Sequence, residues 1–199
     1  MRVGLFGGSF DPVHRGHLAP VRRARRDLDL DRVVYLPTAD PPHKSERRAP
    51  AANRFAMVEL ALLDEEGLVA SPFELTPGEA AYTVDTIEHF ERETGADLVL
   101  LIGADSWHRI TEWRRWRDIV ERVEIGVLAR PGEAGRASDP AAELVRAVEA
   151  GRVHFLSNPP IDVSSTELRR LLARGEEPPD GAMPDLVLKY LAKYPDLYA

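Results

Sequence analysis

Two histidines three residues apart, His14 and His17, follow a glycine-rich turn close to the start of the chain. A short apolar run that begins at Val3 leads into Gly7 and Gly8, and this order predicts a strand, a tight loop and the start of a helix. Such a loop gathers backbone N–H groups and a helix N-terminus at one point, which suits phosphate. The two imidazoles add donors for phosphate oxygens. The alternatives are two ordinary polar residues at the surface or a zinc pair, but zinc needs a third protein ligand, and no nearby carboxylate has a compelling spacing.

The composition is typical of a globular protein with one domain. The 199 residues suit a single domain, residues 1–199, and 44% of them are hydrophobic, which is enough for a buried core. The net charge of −7 argues against nucleic acid as a general partner, because proteins that bind it usually carry a basic excess. The absence of cysteine excludes disulfides and thiol nucleophiles. No apolar run reaches the ~18 residues that span a membrane, and no signal-peptide pattern is visible, so we expect a soluble, cytoplasmic protein without a membrane partner.

Apolar strand-like runs alternate with segments of helical period along the whole chain. The predicted strands occupy residues 2–7, 33–36, 68–70, 98–102, 123–128 and 153–156. The predicted helices occupy residues 16–28, 51–63, 82–93, 140–150, 164–174 and 184–193. This alternation indicates βαβ units, so we predict an α/β fold with a mostly parallel central sheet and helices on both faces. We expect the loops after strands one, two, four and six to share one crevice, and the C-terminal helices, about 164–199, to pack on the same core.

The glycine pattern matches neither G-x-G-x-x-G nor G-x-x-x-x-G-K-[ST]. Residues 8–17 instead read G-S-F-D-P-V-H-R-G-H. This string resembles the signature of the HxGH nucleotidyltransferase superfamily, whose members adenylylate small molecules that carry phosphate. The resemblance implies a Rossmann-like nucleotidyltransferase fold, ATP as a substrate, and catalytic roles for His14 and His17. The implied ATP contacts in this loop are Gly8, Ser9, Phe10, His14, Gly16 and His17.

A proline-rich loop, residues 38–50, follows the second predicted strand and is long for a compact domain. Residues 37–44 read P-T-A-D-P-P-H-K, which by themselves describe an ordinary basic surface loop. The string resembles the P-x-x-x-P-P-H-K segment of the nicotinate mononucleotide adenylyltransferases, in which the histidine and the lysine approach the phosphates. By that resemblance His43 and Lys44 contact the mononucleotide, and Lys44 also takes part in catalysis.

The segment Y-T-V-D-T, residues 82–86, resembles the Y-T-x-D-T segment of the same family at the start of a helix. Free N–H groups in the first turn of a helix suit a carboxylate. From the residues alone, Thr83 is a plain N-cap. The resemblance adds that Thr83 binds the pyridine carboxylate of the substrate. The implied contacts of the mononucleotide in these two regions are Tyr82, Thr83 and Thr86, together with Ser9 of the first loop.

The predicted central strand ends in I-G-A-D, and a tryptophan, Trp113, follows Asp105 eight residues later. Gly103 permits the close approach of a nucleotide, and Asp105 can accept hydrogen bonds from ribose hydroxyls or cap the next helix. An indole offers a flat face on which a pyridine ring can stack, and Trp113 fits the family spacing better than Trp107 or Trp116. The resemblance thus places Gly103 and Asp105 at ATP and Trp113 at the mononucleotide.

The last motif, V-S-S-T-E-L-R, occupies residues 163–169 and resembles the second signature of the superfamily. Ser164 and Glu167 have the spacing of a capping box. On a helix, Ser165, Thr166 and Arg169 share one face, so hydroxyls, free N–H groups and a guanidinium converge in a way that suits triphosphate oxygens. The implied ATP contacts are Ser164, Ser165, Thr166 and a catalytic Arg169, with Arg130 in an R-P-G turn that resembles a family turn near adenine.

These matches cover nearly the whole chain and imply membership of the nicotinate-nucleotide adenylyltransferases. Such enzymes join ATP and nicotinate mononucleotide into nicotinate adenine dinucleotide (deamido-NAD) and pyrophosphate in NAD biosynthesis. Mg²⁺ is expected with ATP, and no protein side chain is assigned as its ligand. The rivals are a sister enzyme that uses nicotinamide mononucleotide or phosphopantetheine, and a nucleotide-binding regulator without turnover. The sequence leaves open whether the chain forms a homo-oligomer.

Overall fold

The computed structural model describes residues 1–39, 49–75, 82–129, 141–158 and 161–199. Three of the candidate site residues, His43, Lys44 and Arg130, lie outside these ranges, as does most of the proline-rich loop. Within the described part of the chain, no helix is long and apolar enough to cross a membrane.

Six parallel strands form the central sheet. They are β1 (Arg2–Gly8), β2 (Arg32–Pro37), β3 (Leu68–Ala70), β4 (Asp97–Gly103), β5 (Glu124–Ala129) and β6 (Val153–Ser157). Their spatial order is β3-β2-β1-β4-β5-β6, and every neighbouring pair is parallel. The order reverses between β1 and β4, where the connections leave to opposite sides and a crevice opens beyond the carboxyl ends of the strands. The predicted α/β fold with a parallel sheet is confirmed.

The strand β4 shows how the middle of the sheet is held. Its five residues from Leu98 to Ile102 are apolar and buried, as expected for a parallel strand that helices cover on both faces. Alternate side chains enter different cores, so Val99 and Leu101 pack in one core and Leu98 and Leu100 in the other. The carboxyl edge of the sheet remains as the place where loops can form a site.

Helices cover both faces of this sheet. In chain order they are α1 (Arg15–Asp27), α2 (Ala51–Leu62), α3 (Thr83–Thr94), α4 (Ala104–His108), α5 (Trp116–Arg122), α6 (Ala142–Glu149), α7 (Ser165–Ala173) and α8 (Asp185–Lys193). The helices α1, α2, α7 and α8 contribute buried residues to one core, and α3 to α6 contribute to the other. The end of the chain returns to the first of these cores through Tyr198.

The predicted helix ends differ from the observed ones by a residue or two. The sequence pattern does not predict α4 and α5, which have five and seven residues. Helices this short contain too few turns for an apolar repeat to distinguish them from loops. Both lie between β4 and β5, and α4 contributes Ala104, Asp105 and Ser106 to the crevice.

Candidate nucleotide-binding site

A cavity of about 580 Å³ opens at the carboxyl edge of the sheet, where the strand order reverses. Its walls come from the loop after β1, the start of α1, the end of β4 and the segment that leads into α7. The predicted ATP contacts that line it are Gly8, Ser9, Phe10, His14, Gly16, His17, Gly103, Asp105, Ser164 and Ser165. The fold therefore brings segments from the two ends of the chain around one space, and its volume suits a nucleotide.

His14 and His17 each use Nδ1 as a hydrogen-bond acceptor. His14 is the N-cap of α1, and its Nδ1 accepts from the N–H of Gly16 at 3.1 Å. The Nδ1 of His17 accepts from the N–H of His14 at 3.3 Å. Because Nδ1 accepts in both rings, each neutral imidazole carries its proton on Nε2. Both rings therefore present an N–H donor at Nε2.

The spacing of these residues explains why the helix begins here. A Cβ at Gly16 would lie 2.9 Å from the His14 ring, so this cap requires glycine. The ring centroids of His14 and His17 are only 3.9 Å apart. Burial, and secondarily the charge of His14, lower the pKa of His17 well below its usual value of 6.5. The site thus favours a neutral His17 ring that donates through Nε2.

The start of α7 lies against the same loop. Ser164 is the N-cap of α7, and its hydroxyl accepts from the N–H of Glu167 at 3.2 Å, which is half of the predicted capping box. The hydroxyl of Ser165 donates to the backbone carbonyl of Pro12 at 3.1 Å. Helix α7 is therefore fastened to the loop that precedes α1, and its N-terminal end faces the cavity.

Thr166 and Arg169, which we also predict at ATP, lie next to the cavity rather than among its lining residues. Arg169 Nη1 donates to the backbone carbonyl of Asp11 at 2.8 Å, and Nη2 donates to Thr166 Oγ1 at 3.4 Å. The Arg169 side chain is 14% exposed. The guanidinium thus hydrogen-bonds to the loop that precedes α1 but is not among the residues that line the cavity.

A second cavity, of about 220 Å³, adjoins the first. The residues that line both cavities are Gly7, Gly8, Gly103 and Ser106. The apolar wall of the second cavity consists of Leu5, Leu36, Ile87, Leu100 and Ile102. The side chains that add polar groups are Thr38, Glu74, Thr83, Thr86 and Ser106. A small apolar space with few polar groups suits a flat ring that carries one polar substituent.

Trp113 is the tryptophan that lines this second cavity. Trp107 and Trp116 are 4% and 8% exposed and belong to the core that α4 and α5 cover. Trp113 is partly buried and packs against the edge of that core. Its indole is therefore supported by the protein and still accessible from the cavity, which is the placement that stacking on a ligand requires.

The prediction that Thr83 caps α3 is wrong. Tyr82 is in an extended conformation and takes the N-cap position, Thr83 is the first helical residue, and no hydrogen bond from the Tyr82 side chain caps the helix. Thr83 and Thr86 line the second cavity, whereas Tyr82 is 46% exposed and lies under the guanidinium of Arg114. The N–H groups of this first turn suit a carboxylate.

Asp105 does not cap α4, because Gly103 is the N-cap and α4 has no side-chain cap. Asp105 is instead exposed on the wall of the larger cavity. A Cβ at Gly103 would meet nothing within 4 Å, so protein packing does not demand glycine here. A Cβ at Gly8 would lie 3.0 Å from the Phe10 ring, so a side chain there would have to displace that ring.

Arg54 joins the walls of the two cavities, a role that the sequence analysis does not predict. Arg54 is 2% exposed and donates to the carbonyls of Ser9 and Thr38 at 2.7 Å each, and to that of Ala49 at 3.1 Å. Ser9 lines the larger cavity and Thr38 the smaller one. The sequence does hold one sign of this role, because Arg54 precedes Val58 by four residues and so shares the buried face of α2.

Glu74 and Asn158 also line the site without being predicted. Glu74 Oε1 accepts from the hydroxyl of Thr86 at 2.8 Å in the smaller cavity. Burial raises the pKa of Glu74, and the hydrogen bond from Thr86 opposes that shift. Asn158 is 5% exposed at the wall of the larger cavity and donates to the carbonyl of Leu156 at 3.2 Å. Neither residue stands in a motif that points to a ligand.

The sheet order and the cavities at its switch point define the class, a nucleotide-binding α/β protein. Two solved structures of the nicotinic acid mononucleotide adenylyltransferase of Plasmodium falciparum share this fold. The complex with APC aligns with a TM-score of 0.76 at 16% identity, over 99% of this chain and 96% of that one. The complex with NaAD aligns with a TM-score of 0.74 at 18% identity, over 99% and 97%.

Sequence comparisons give the family. Residues 5–171 match the family described as Cytidylyltransferase-like. A protein of Laribacter hongkongensis named "Probable nicotinate-nucleotide adenylyltransferase" is 41% identical over 87% of this chain and 84% of its own length. One of the same name from Neisseria meningitidis serogroup B is 38% identical over 97% and 96%. This chain belongs to the cytidylyltransferase-like family and, within it, to the nicotinate-nucleotide adenylyltransferases.

Proposed function

We propose that this chain transfers the adenylyl group of ATP to nicotinate mononucleotide and so forms nicotinate adenine dinucleotide and pyrophosphate. The observation that supports this best is the pair of adjoining cavities that share Gly7, Gly8 and Gly103 at the switch point of the sheet. A dinucleotide is made where two nucleotides bind with their phosphates facing each other, so it needs two such spaces with a common border. The names of the sequence relatives agree with this reaction.

In this proposal the larger cavity binds ATP and the smaller one binds the mononucleotide. The loop before α1 and the start of α7 hold the phosphates of ATP, since both offer N–H groups and hydroxyls at the cavity. Trp113 stacks on the pyridine ring, and the first turn of α3 receives the pyridine carboxylate. His43, Lys44 and Arg130 keep the roles that the family resemblance implies.

The proposed reaction needs no protein nucleophile. An oxygen of the mononucleotide 5′-phosphate attacks the α-phosphorus of ATP, the bond from that phosphorus to the bridging oxygen of the β-phosphate breaks, and pyrophosphate leaves with the electron pair. The chain aligns the two phosphates and stabilises the charge that develops on them. The Nε2–H groups of His14 and His17 serve the reacting α-phosphate, and Arg169 serves the phosphates that leave.

Mg²⁺ fits the larger cavity as a companion of the triphosphate. Asp105 is the one carboxylate among the described lining residues, which otherwise offer hydroxyls, imidazoles and backbone groups. In the described ranges, no group of three or more His, Asp or Glu side chains is placed to hold a metal. This donor set suits a cation that phosphate oxygens and water mainly hold, with Asp105 as its nearest protein carboxylate. When bound, Mg²⁺ neutralises charge on the phosphates.

A pyrophosphate-release assay tests the proposal directly. The purified chain is given ATP and Mg²⁺ with one acceptor at a time, namely nicotinate mononucleotide, nicotinamide mononucleotide or phosphopantetheine. We expect release with nicotinate mononucleotide, and kcat/KM at least about tenfold higher than with the amide, because helix N–H groups favour a carboxylate. Preference for the amide would overturn the acceptor. Binding of ATP without release in any mixture would instead identify a nucleotide-binding regulator.

A further inference from the structure

The penultimate residue of the chain, Tyr198, contacts the loop that precedes α1. Tyr198 is 5% exposed, and its hydroxyl donates to Oδ1 of Asp11 at 2.8 Å. Asp11 is fully buried and lies in the string that contains both histidines. The reaction proposed above makes no use of this contact, although it joins the end of the chain to the nucleotide cavity.

Among the described residues, few hydrogen-bond donors reach the buried carboxylate of Asp11. Besides the Tyr198 hydroxyl, Oδ1 accepts from the N–H of Ala49 at 3.1 Å. Its Oδ2 is buried, and no described residue donates a hydrogen bond to it. Arg169 Nη1 lies 3.9 Å from this oxygen. Since a buried charge is costly without compensation, each donor that Asp11 loses increases its attraction for Arg169.

Arg169 lies beside this carboxylate, one turn of α7 after Ser165, which lines the cavity. Its Nη1 already donates to the backbone carbonyl of Asp11 at 2.8 Å, and Nη2 reaches Thr166 at 3.4 Å. A guanidinium holds its N–H donors in one rigid plane. A rotation that brings Nη1 onto Oδ2 of Asp11 therefore turns the remaining donors as well, and it changes what they can offer to a phosphate in the cavity.

We propose that Tyr198 is a positioning residue for the nucleotide cavity. By donating to Oδ1, its hydroxyl limits the attraction of the Asp11 carboxylate for Arg169 and so keeps the guanidinium available to the phosphates of the nucleotide. This inference rests on the proposed function, which places ATP in the larger cavity. Burial and the negative charge of Asp11 raise the pKa of Tyr198, so the hydroxyl remains a donor at physiological pH.

The variant Tyr198→Phe removes the hydroxyl and keeps the ring. We expect the Kd for ATP and the KM for ATP to rise about tenfold, the scale of one hydrogen bond to a charged group, while the KM for nicotinate mononucleotide changes less than about twofold. Tyr190→Phe is the matched control, because its hydroxyl accepts from Asn53 at 2.9 Å in the contact between α8 and α2; it should leave both constants unchanged. Equal rises in both constants, or no rise for ATP, would overturn the inference.

Neutralising Asp11 separates this electrostatic role from general support of the fold. In the Asp11→Asn background the side chain at this position no longer carries the charge that draws Arg169 away, so adding Tyr198→Phe should change the Kd for ATP less than about twofold. A further tenfold loss there would show that the ring or the fold, rather than the charge, is responsible. Calorimetry with ATP alone measures Kd without turnover. Its result therefore remains valid even if the pyrophosphate assay contradicts the proposed reaction.

Discussion

The imidazole rings of His14 and His17 lie with their centroids 3.9 Å apart, and backbone N–H groups at the start of α1 hold the Nδ1 atom of each. Two rings this close repel each other when both are charged. The pattern H-x-G-H therefore specifies more than two donors. Its first histidine caps the helix, its glycine leaves room for that ring, and its second histidine receives the N–H of the first, which fixes both protons on Nε2.

Loss of the Nε2–H donor of His17 should reduce turnover. We expect His17→Ala to lower kcat by about 10²–10³, the scale of one electrostatic donor at a reacting group. His108→Ala is the control, because His108 is exposed at the end of α4 and lines neither cavity. The measurement is pyrophosphate release at saturating ATP and nicotinate mononucleotide. Near-normal turnover in His17→Ala would remove His17 from the catalytic residues.

The lowered pKa of His17 also predicts how stability depends on pH. Just below pH 6.5, the unfolded chain binds a proton at this position that the folded protein does not bind. Stability from His17 is therefore present above about pH 6.5 and is lost as the pH falls towards the lowered pKa of the folded state. Urea denaturation between about pH 7 and 5 should show a shallower decline for His17→Gln than for the unchanged protein. Parallel curves would mean that His17 has an ordinary pKa.

The strand end, turn and helix start of residues 8–17 could be predicted because their contacts are local. A strand, a glycine turn and a helix start follow one another in the sequence, so the positions of His14 and His17 follow from neighbours within a few residues. Trp113 could also be chosen over Trp107 and Trp116, since a family spacing distinguished a residue at a loop end from two residues in a core. Both choices agree with the cavities that the structure contains.

The contacts of Arg54, Asp11 and Tyr198 could not be predicted in the same way. They join residues that are up to 187 positions apart, and no local pattern records which loop a buried arginine or a C-terminal tyrosine will meet. The assignment of Thr83 as a cap failed for a smaller reason. Tyr82 takes the extended N-cap position, so the helix begins one residue earlier than the capping preference of threonine suggests.

The position of Trp113 in the second cavity predicts that this residue affects the binding of nicotinate mononucleotide and not that of ATP. Trp113→Ala should raise the KM for nicotinate mononucleotide about tenfold, since stacking of aromatic groups contributes about 1 kcal/mol beyond area burial, and should leave the KM for ATP nearly unchanged. Trp113→Phe keeps a flat ring and should recover most of the loss. Both constants come from the pyrophosphate assay with one substrate varied at a time. An equal rise in both would show that Trp113 supports the whole site rather than the acceptor.

The contacts of Arg54 predict the opposite behaviour, namely that its loss weakens the binding of both substrates together. Its guanidinium holds the carbonyl of Ser9 in one cavity wall and that of Thr38 in the other. Arg54→Met keeps the apolar stem but leaves these buried carbonyls without their donor, so we expect a loss of about 3 kcal/mol or more in the free energy of unfolding. The KM values for ATP and for nicotinate mononucleotide should both rise.

Arg23→Met is the matched control for Arg54→Met. Arg23 lies on α1 and pairs with Asp27 at 3.0 Å on the surface, where such a pair contributes about 0.5 kcal/mol or less. Urea denaturation and the pyrophosphate assay on the two variants should therefore separate clearly. If Arg54→Met raised the KM for only one substrate, the guanidinium would support a single wall, and the common border of the two cavities would depend on the glycines of β1 and β4 instead.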